Sequence, residues 1–190
     1  MDTASQSISP SPPFASAAQP RRLRADLGVT GEQASRWITR EHPKIDRIAC
    51  PWLVLRFIDP QAEFFYVPAP RVFEEAQRLG AVAYDLPGAP ITHDGELCSF
   101  DALLRAFDLR EPALLALAAI VRGADTGRPD LTPQSAGLLA MSIGLSALHP
   151  DDHAMLRAAL PMYDALYAWC RSSHAPTHGT DRGSAKSAAK

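Results

Sequence analysis

Residues 37–59 read WITREHPKIDRIACPWLVLRFID, and this stretch organises the rest of the chain. Arg40, His42, Lys44, Asp46, Arg47 and Cys50 fall within eleven residues, while Ile45, Ile48, Ala49, Trp52 and Leu53 recur at helical spacing. A helix there turns an apolar face to a core and sets Asp46 and Cys50, four apart, on another face. Pro51 leaves two geometries open. In one, the helix runs from about Ile45 to Ile58 and is kinked where Pro51 removes the hydrogen bond to the Arg47 carbonyl. In the other, Pro51 is the first helical residue and Cys50 its cap, which sets the thiol at a positive helix end and activates it.

Working outward, Trp37–Arg40 is a short strand ending at the His42-Pro43 turn. Asp59-Pro60 closes the helix. Ala62–Val67, with four aromatic or β-branched residues in a row (Phe64–Val67) and Pro68 behind them, is a second, buried strand. A helix from about Arg71 to Leu79 is stopped by Gly80, and Ala81–Tyr84 is a third strand. This β-α-β-α-β order predicts a small parallel sheet with right-handed crossovers and a ligand site at the strand ends. Residues 91–98 predict a hairpin turning on Asp94-Gly95, which sets His93 opposite Glu96 with Cys98 on the same face. Four helices follow. They span Phe100–Phe107 capped by Ser99, Pro112 to Arg122-Gly123, Thr132 to Ala147, and a last one opened by Asp151-Asp152 and kinked at Pro161. Gly137 and Gly144 share a face of the third and permit close helix contact. The fold class is α+β and helix-rich.

A chain of 190 residues, 46% hydrophobic and 21% charged, supports one domain with a real core. Residues 1–35 are rich in Ser, Pro and Ala and read as a disordered leader, 172–190 as a disordered tail, and 36–171 as the domain. A net charge of -2 and a pI near 6.3 argue against a nucleic-acid binder that works by bulk electrostatics and leave room only for a local basic patch. Cys50, Cys98 and Cys170 lie far apart without a CxxC pair or an apolar signal segment, which predicts reduced thiols and a cytoplasmic protein. The apolar run Leu114–Val121 is too short to span a bilayer, so no membrane role is expected.

Three polar groups could carry chemistry. Arg40, His42, Lys44 and Arg47 could hold a tetrahedral oxyanion through charge-assisted hydrogen bonds, or form a solvated basic edge. His93, Glu96 and Cys98, joined by Asp46 or Asp125, offer imidazole, carboxylate and thiolate to a transition metal; alternatively His93 and Glu96 are a cross-strand pair beside a buried thiol. Arg122 and Asp125 flank a helix end, where they face a site or simply cap and pair. Nucleophile-elbow, phosphate-loop and dinucleotide fingerprints are absent.

The stretches WITREHPKIDRIACPWLVLRFIDPQAEFFYVP (37–68), HDGELCSFDALL (93–104), LAAIVRGADTGRPDL (117–131), SAGLLAMSIGLS (135–146) and YDALYAWCR (163–171) together resemble the C-terminal domain of the ChrB-type chromate-resistance family. The resemblance implies a role in chromate resistance or sensing. Longer members carry an N-terminal region associated with DNA control, to which residues 1–35 bear no likeness, so no direct nucleic-acid binding is expected. The family's motif positions fall on Arg40, Lys44, Asp46, Arg47, Cys50, His93, Cys98, Asp101, Arg122 and Asp125. The expectation is an accessory or sensing domain that binds an oxyanion, a metal ion or both, in a site formed by the Arg40–Cys50 segment, the 91–98 hairpin and Arg122/Asp125. Arg40, Lys44, Arg47 and Arg122 would contact a chromate- or sulfate-like oxyanion. His93, Glu96, Cys98, Asp46 and Asp125 would hold a transition metal, with Cys50 as a redox group. A metal- or thiol-dependent enzyme of chromate or oxidative stress is the alternative, and the expected protein partner is a second copy or a regulatory protein.

Overall fold

The computed structural model describes residues 22–173. Three strands, β1 (Arg36–Arg40), β2 (Glu63–Val67) and β3 (Val82–Ala83), form a parallel sheet in the order β2-β1-β3. The register pairs Trp37 with Phe64 and Val82, and Ile38 with Phe65 and Ala83. Side chains alternate across a sheet, so neighbouring residues feed different cores. Trp37 and Phe64 enter the main core, while Ile38 and Ala83 enter a smaller one with Val72 and Ala76 of α2 (Val72–Leu79).

The β1–β2 crossover is the stretch that organises the sequence. It forms α1 (Asp46–Leu53) and runs on without a break into a wider π-helical turn, Val54–Ile58, closed by the bond from the Asp59 amide to the Val54 carbonyl at 2.8 Å. Pro51 is therefore inside the helix, and Cys50 is a buried helical residue with no capping role. The bond that Pro51 denies to the Arg47 carbonyl is replaced from outside: the Tyr84 hydroxyl donates to that oxygen at 3.1 Å.

The second half consists of α3 (Ser99–Ala106), α4 (Pro112–Asp125), α5 (Ser135–Leu148) and α6 (Asp152–Ser173), with Pro161 inside α6. Helices α3, α4 and α6 pack on α1, and α5 on α4 and α6; at the centre the Trp52 ring lies 6.5 Å from Phe100, 6.2 Å from Tyr163 and 5.6 Å from Tyr167, centroid to centroid. The indole N–H donates to Asp164 at 2.6 Å, and Arg56 pairs with the same carboxylate, so the polar edge of that core is satisfied.

Two sequence expectations give way. Within the expected leader, Leu27 and Val29 are buried in the main core; residues 1–21 and 174–190, where most of the expected leader and tail fall, lie outside the described residues. In the 91–98 hairpin the bridge joins Asp94 to Leu97, and Gly95 takes the left-handed conformation (φ 61°) at the first turn position. The turn is thus Gly95-Glu96, one residue later than Asp94-Gly95. This slip puts Glu96 on the exposed turn and His93 opposite Cys98. Among the described residues no helix is long and apolar enough to cross a membrane.

Candidate functional site

The site lies at the carboxyl ends of β1 and β3, where ligands of parallel sheets gather. After β1, the chain reaches α1 through a strained loop: His42 has φ 55°, and Ile45 has φ 46° and ψ -104°. A β-branched residue with positive φ is held there only by its surroundings. The Ile45 amide donates to Ser142 Oγ at 2.9 Å, and its carbonyl accepts from the Tyr163 hydroxyl at 2.8 Å. The loop thereby delivers Asp46, the first residue of α1, with only 1% of its surface exposed. Asp85, just beyond β3, also sits in the left-handed region, at φ 56°.

Three carboxylates converge on one imidazole. His93 Nε2 lies 3.3 Å from Asp46 Oδ2, 3.4 Å from Asp85 Oδ1 and 3.1 Å from Asp125 Oδ2. The amino end of α3 supports two of them, because the Ser99 amide donates to Asp46 Oδ2 at 3.1 Å and Ser99 Oγ donates to Asp85 Oδ1 at 3.0 Å. Arg40 Nη2 and Arg47 Nε hold Asp85 Oδ2 at 2.8 and 3.3 Å. Behind this layer Asp101 accepts from the Cys98 amide (3.1 Å) and thiol (3.4 Å) and from Arg122 at 2.9 Å.

Crowding negative charge in a buried place moves the proton equilibria of His93, Asp125, Asp85, Cys50 and Cys98. His93 is raised to about 9, first by its hydrogen bond to Asp46, against the opposing effect of burial. Burial and then the charges of Asp46 and Asp85 push Asp125 up to about 7. Asp85 is raised for the same reasons, burial first and then Asp46, with Arg40 pulling the other way. Burial, reinforced by Asp46, also raises Cys50 and Cys98, which keeps both thiols protonated and poorly nucleophilic.

Of the sequence candidates, the structure brings together Asp46, His93 and Asp125. Arg40 and Arg47 border the group through Asp85, whereas Arg122 and Cys98 stand one layer back on Asp101. Glu96 and Lys44 are exposed, and among the described residues Lys44 makes no ion pair. Cys50 is packed in α1. Sequence reasoning missed Asp85 and took Ser99 for a cap; the cap of α3 is Cys98, and Ser99 is a donor to the site. The signal for Asp85 was its place directly after the third strand, at the sheet end expected to bind ligands. One ligand atom each from Asp46, Asp85 and His93 lies within 4.8 Å of the others, a spacing that one cation can bridge.

Residues 37–170 match the family described as ChrB, C-terminal domain. A curated relative, Protein ChrB of Cupriavidus metallidurans, is 35% identical over 139 residues, which cover 73% of this chain and 41% of the relative. The chain therefore spans less than half the length of that protein. No solved structure matches the chain. The family match runs from Trp37 in β1 through β2 and β3 into the last turn of the final helix, and it takes in the whole cluster around His93: the chain belongs to the family of the ChrB C-terminal domain.

Proposed function

We propose that this domain binds a divalent transition-metal ion as the ligand-responsive part of a chromate-resistance protein. The observation that carries the proposal is the convergence of Asp46, Asp85 and His93, with Asp125 3.1 Å from the same imidazole nitrogen. Three carboxylates are costly to bury around one another unless a cation sits among them. Oxygen-rich sets with a single imidazole suit Mn2+ or Fe2+ better than the softer Cu+. The arginines expected to clasp an oxyanion are occupied with carboxylates: Arg40 and Arg47 with Asp85, Arg122 with Asp101. A chromate-like oxyanion would then reach the site as a ligand of the metal, from the side where His93 is 39% exposed. The protonated state of Cys50 and Cys98 favours this reading over a thiol-dependent enzyme.

Elemental analysis of untagged protein and calorimetry with Mn2+ and Zn2+ test the proposal. The expected result is one ion per chain, with Asp46→Asn and Asp85→Asn each weakening binding at least about tenfold, as loss of a well-placed ligand or its support does. Circular dichroism of both variants should stay native. A wild-type protein that carries no metal and gives no heat with either ion rules the proposal out. Chromate titrated into metal-loaded and metal-free protein then separates an oxyanion that needs the metal from one that does not.

A further inference from the structure

Helix α5 turns an apolar face to solvent along its length. Its inner face is Ser135, Leu138 and Ser142, all buried. On the outer side Met141 is 54% exposed, Ile143 50% and Leu148 75%. A Cβ added at Gly137 or Gly144 would meet nothing within 4 Å. Positions 137, 141, 144 and 148 are spaced four, three and four apart, the seam that one helix offers to another. Not one charged residue occurs from 135 to 148.

We infer that this face is covered by α5 of a second copy of the chain, packed antiparallel about a two-fold axis. The seam is self-complementary in size. With the axis midway between positions 142 and 143, Met141 faces the partner's Gly144 and Leu148 faces the partner's Gly137, so each bulky side chain meets a gap on both sides of the axis. The charges fit as well. The antiparallel order brings two helices without charged side chains together, so no like charges are opposed. It also sets each amino end beside a carboxyl end, the favourable order of helix dipoles. A stable interface covers ~800 Å² per partner, so the contact would reach past α5 to its flanks, where Leu131 is also exposed. The inner face of the same helix holds Ile45 through Ser142, so dimerisation would brace the loop that delivers Asp46.

Sedimentation equilibrium of the full chain, without added metal, tests the inference independently of the metal reading. The wild type should show the mass of a dimer at micromolar concentration. Met141→Glu and, separately, Leu148→Glu should shift it to monomer with unchanged helical circular dichroism. The paired variant M141C/G144C should oxidise to a covalent dimer, since the native thiols are buried. A wild type that sediments as a monomer, leaving the face to a different protein or to a lipid surface, overturns the inference. So does a dimer that survives both glutamate substitutions.

Discussion

Asp46 and His93 set the behaviour of the site at the scale of single residues, because their contact is the first cause of the imidazole's high affinity for its proton. In metal-free protein His93 titrates near 9, against an ordinary value of 6.5. The folded chain thus keeps a proton that the unfolded chain releases between those values, so this contribution is complete below about pH 6.5 and is lost as pH rises through about 9. Asp125, raised from 3.8 to about 7, acts in the same direction at lower pH, since its folded form also holds a proton longer than the unfolded one. The thermal midpoint of metal-free protein should therefore fall between pH 6 and 9, and His93→Gln should flatten that fall. A wild-type midpoint that climbs over the range contradicts the assignment. Metal competes for the same lone pair, so affinity for Mn2+ measured by calorimetry should rise with pH while the proton is being displaced.

At the scale of elements, α1 shows how a rule can be broken locally and repaired from a distance. Pro51 leaves the Arg47 carbonyl without its helical donor, and Tyr84, at the end of β3, supplies one. Tyr84→Phe should cost about 1–3 kcal/mol, the usual penalty for stranding a buried acceptor. In a Pro51→Ala background, which restores a backbone N–H near that oxygen, the same substitution should cost distinctly less; equal costs in urea denaturation of the two backgrounds would show that the hydroxyl does not do this. The course of α1 was legible in the sequence because its apolar residues stay in phase on both sides of Pro51. Asp85 was not, because one aspartate after a short strand is chemically ordinary until β3 is known to lie beside β1. The hairpin register was misread for a related reason. Local turn preference favours Asp94-Gly95, whereas the structure uses Gly95-Glu96, which leaves Cys98 extended to cap α3 and Ser99 free to reach Asp46 and Asp85. Sequence reasoning found Asp46, His93 and Asp125 as ligand types, but their common partner depends on three separate elements meeting.

On the scale of the whole molecule, the carboxylates come from the loop after β3, α1 and α4, so the site depends on how the helical half sits against the sheet. Asp125 is the last residue of α4, and the bond from the Arg128 amide to the Gly123 carbonyl (3.0 Å) turns the chain toward α5 just beyond it. Gly123 is the closest point of that junction. A Cβ there would lie 2.3 Å from Ser135 Oγ and 2.8 Å from the Arg128 carbonyl, below any tolerable separation. Alanine gains up to about 1 kcal/mol over glycine inside a helix. Overpacking of this kind costs about 1–3 kcal/mol, and here the clash includes backbone, which has little room to yield. Gly123→Ala should therefore destabilise the domain in urea denaturation despite the better helix former, and it should weaken Mn2+ binding by moving Asp125. Adding Ser135→Ala removes the hydroxyl and leaves the Arg128 carbonyl in place, so stability should return only in part. A fully rescued double variant would mean that the serine hydroxyl alone keeps α4 and α5 apart, and a single variant more stable than wild type would mean that the junction yields freely and does not fix Asp125.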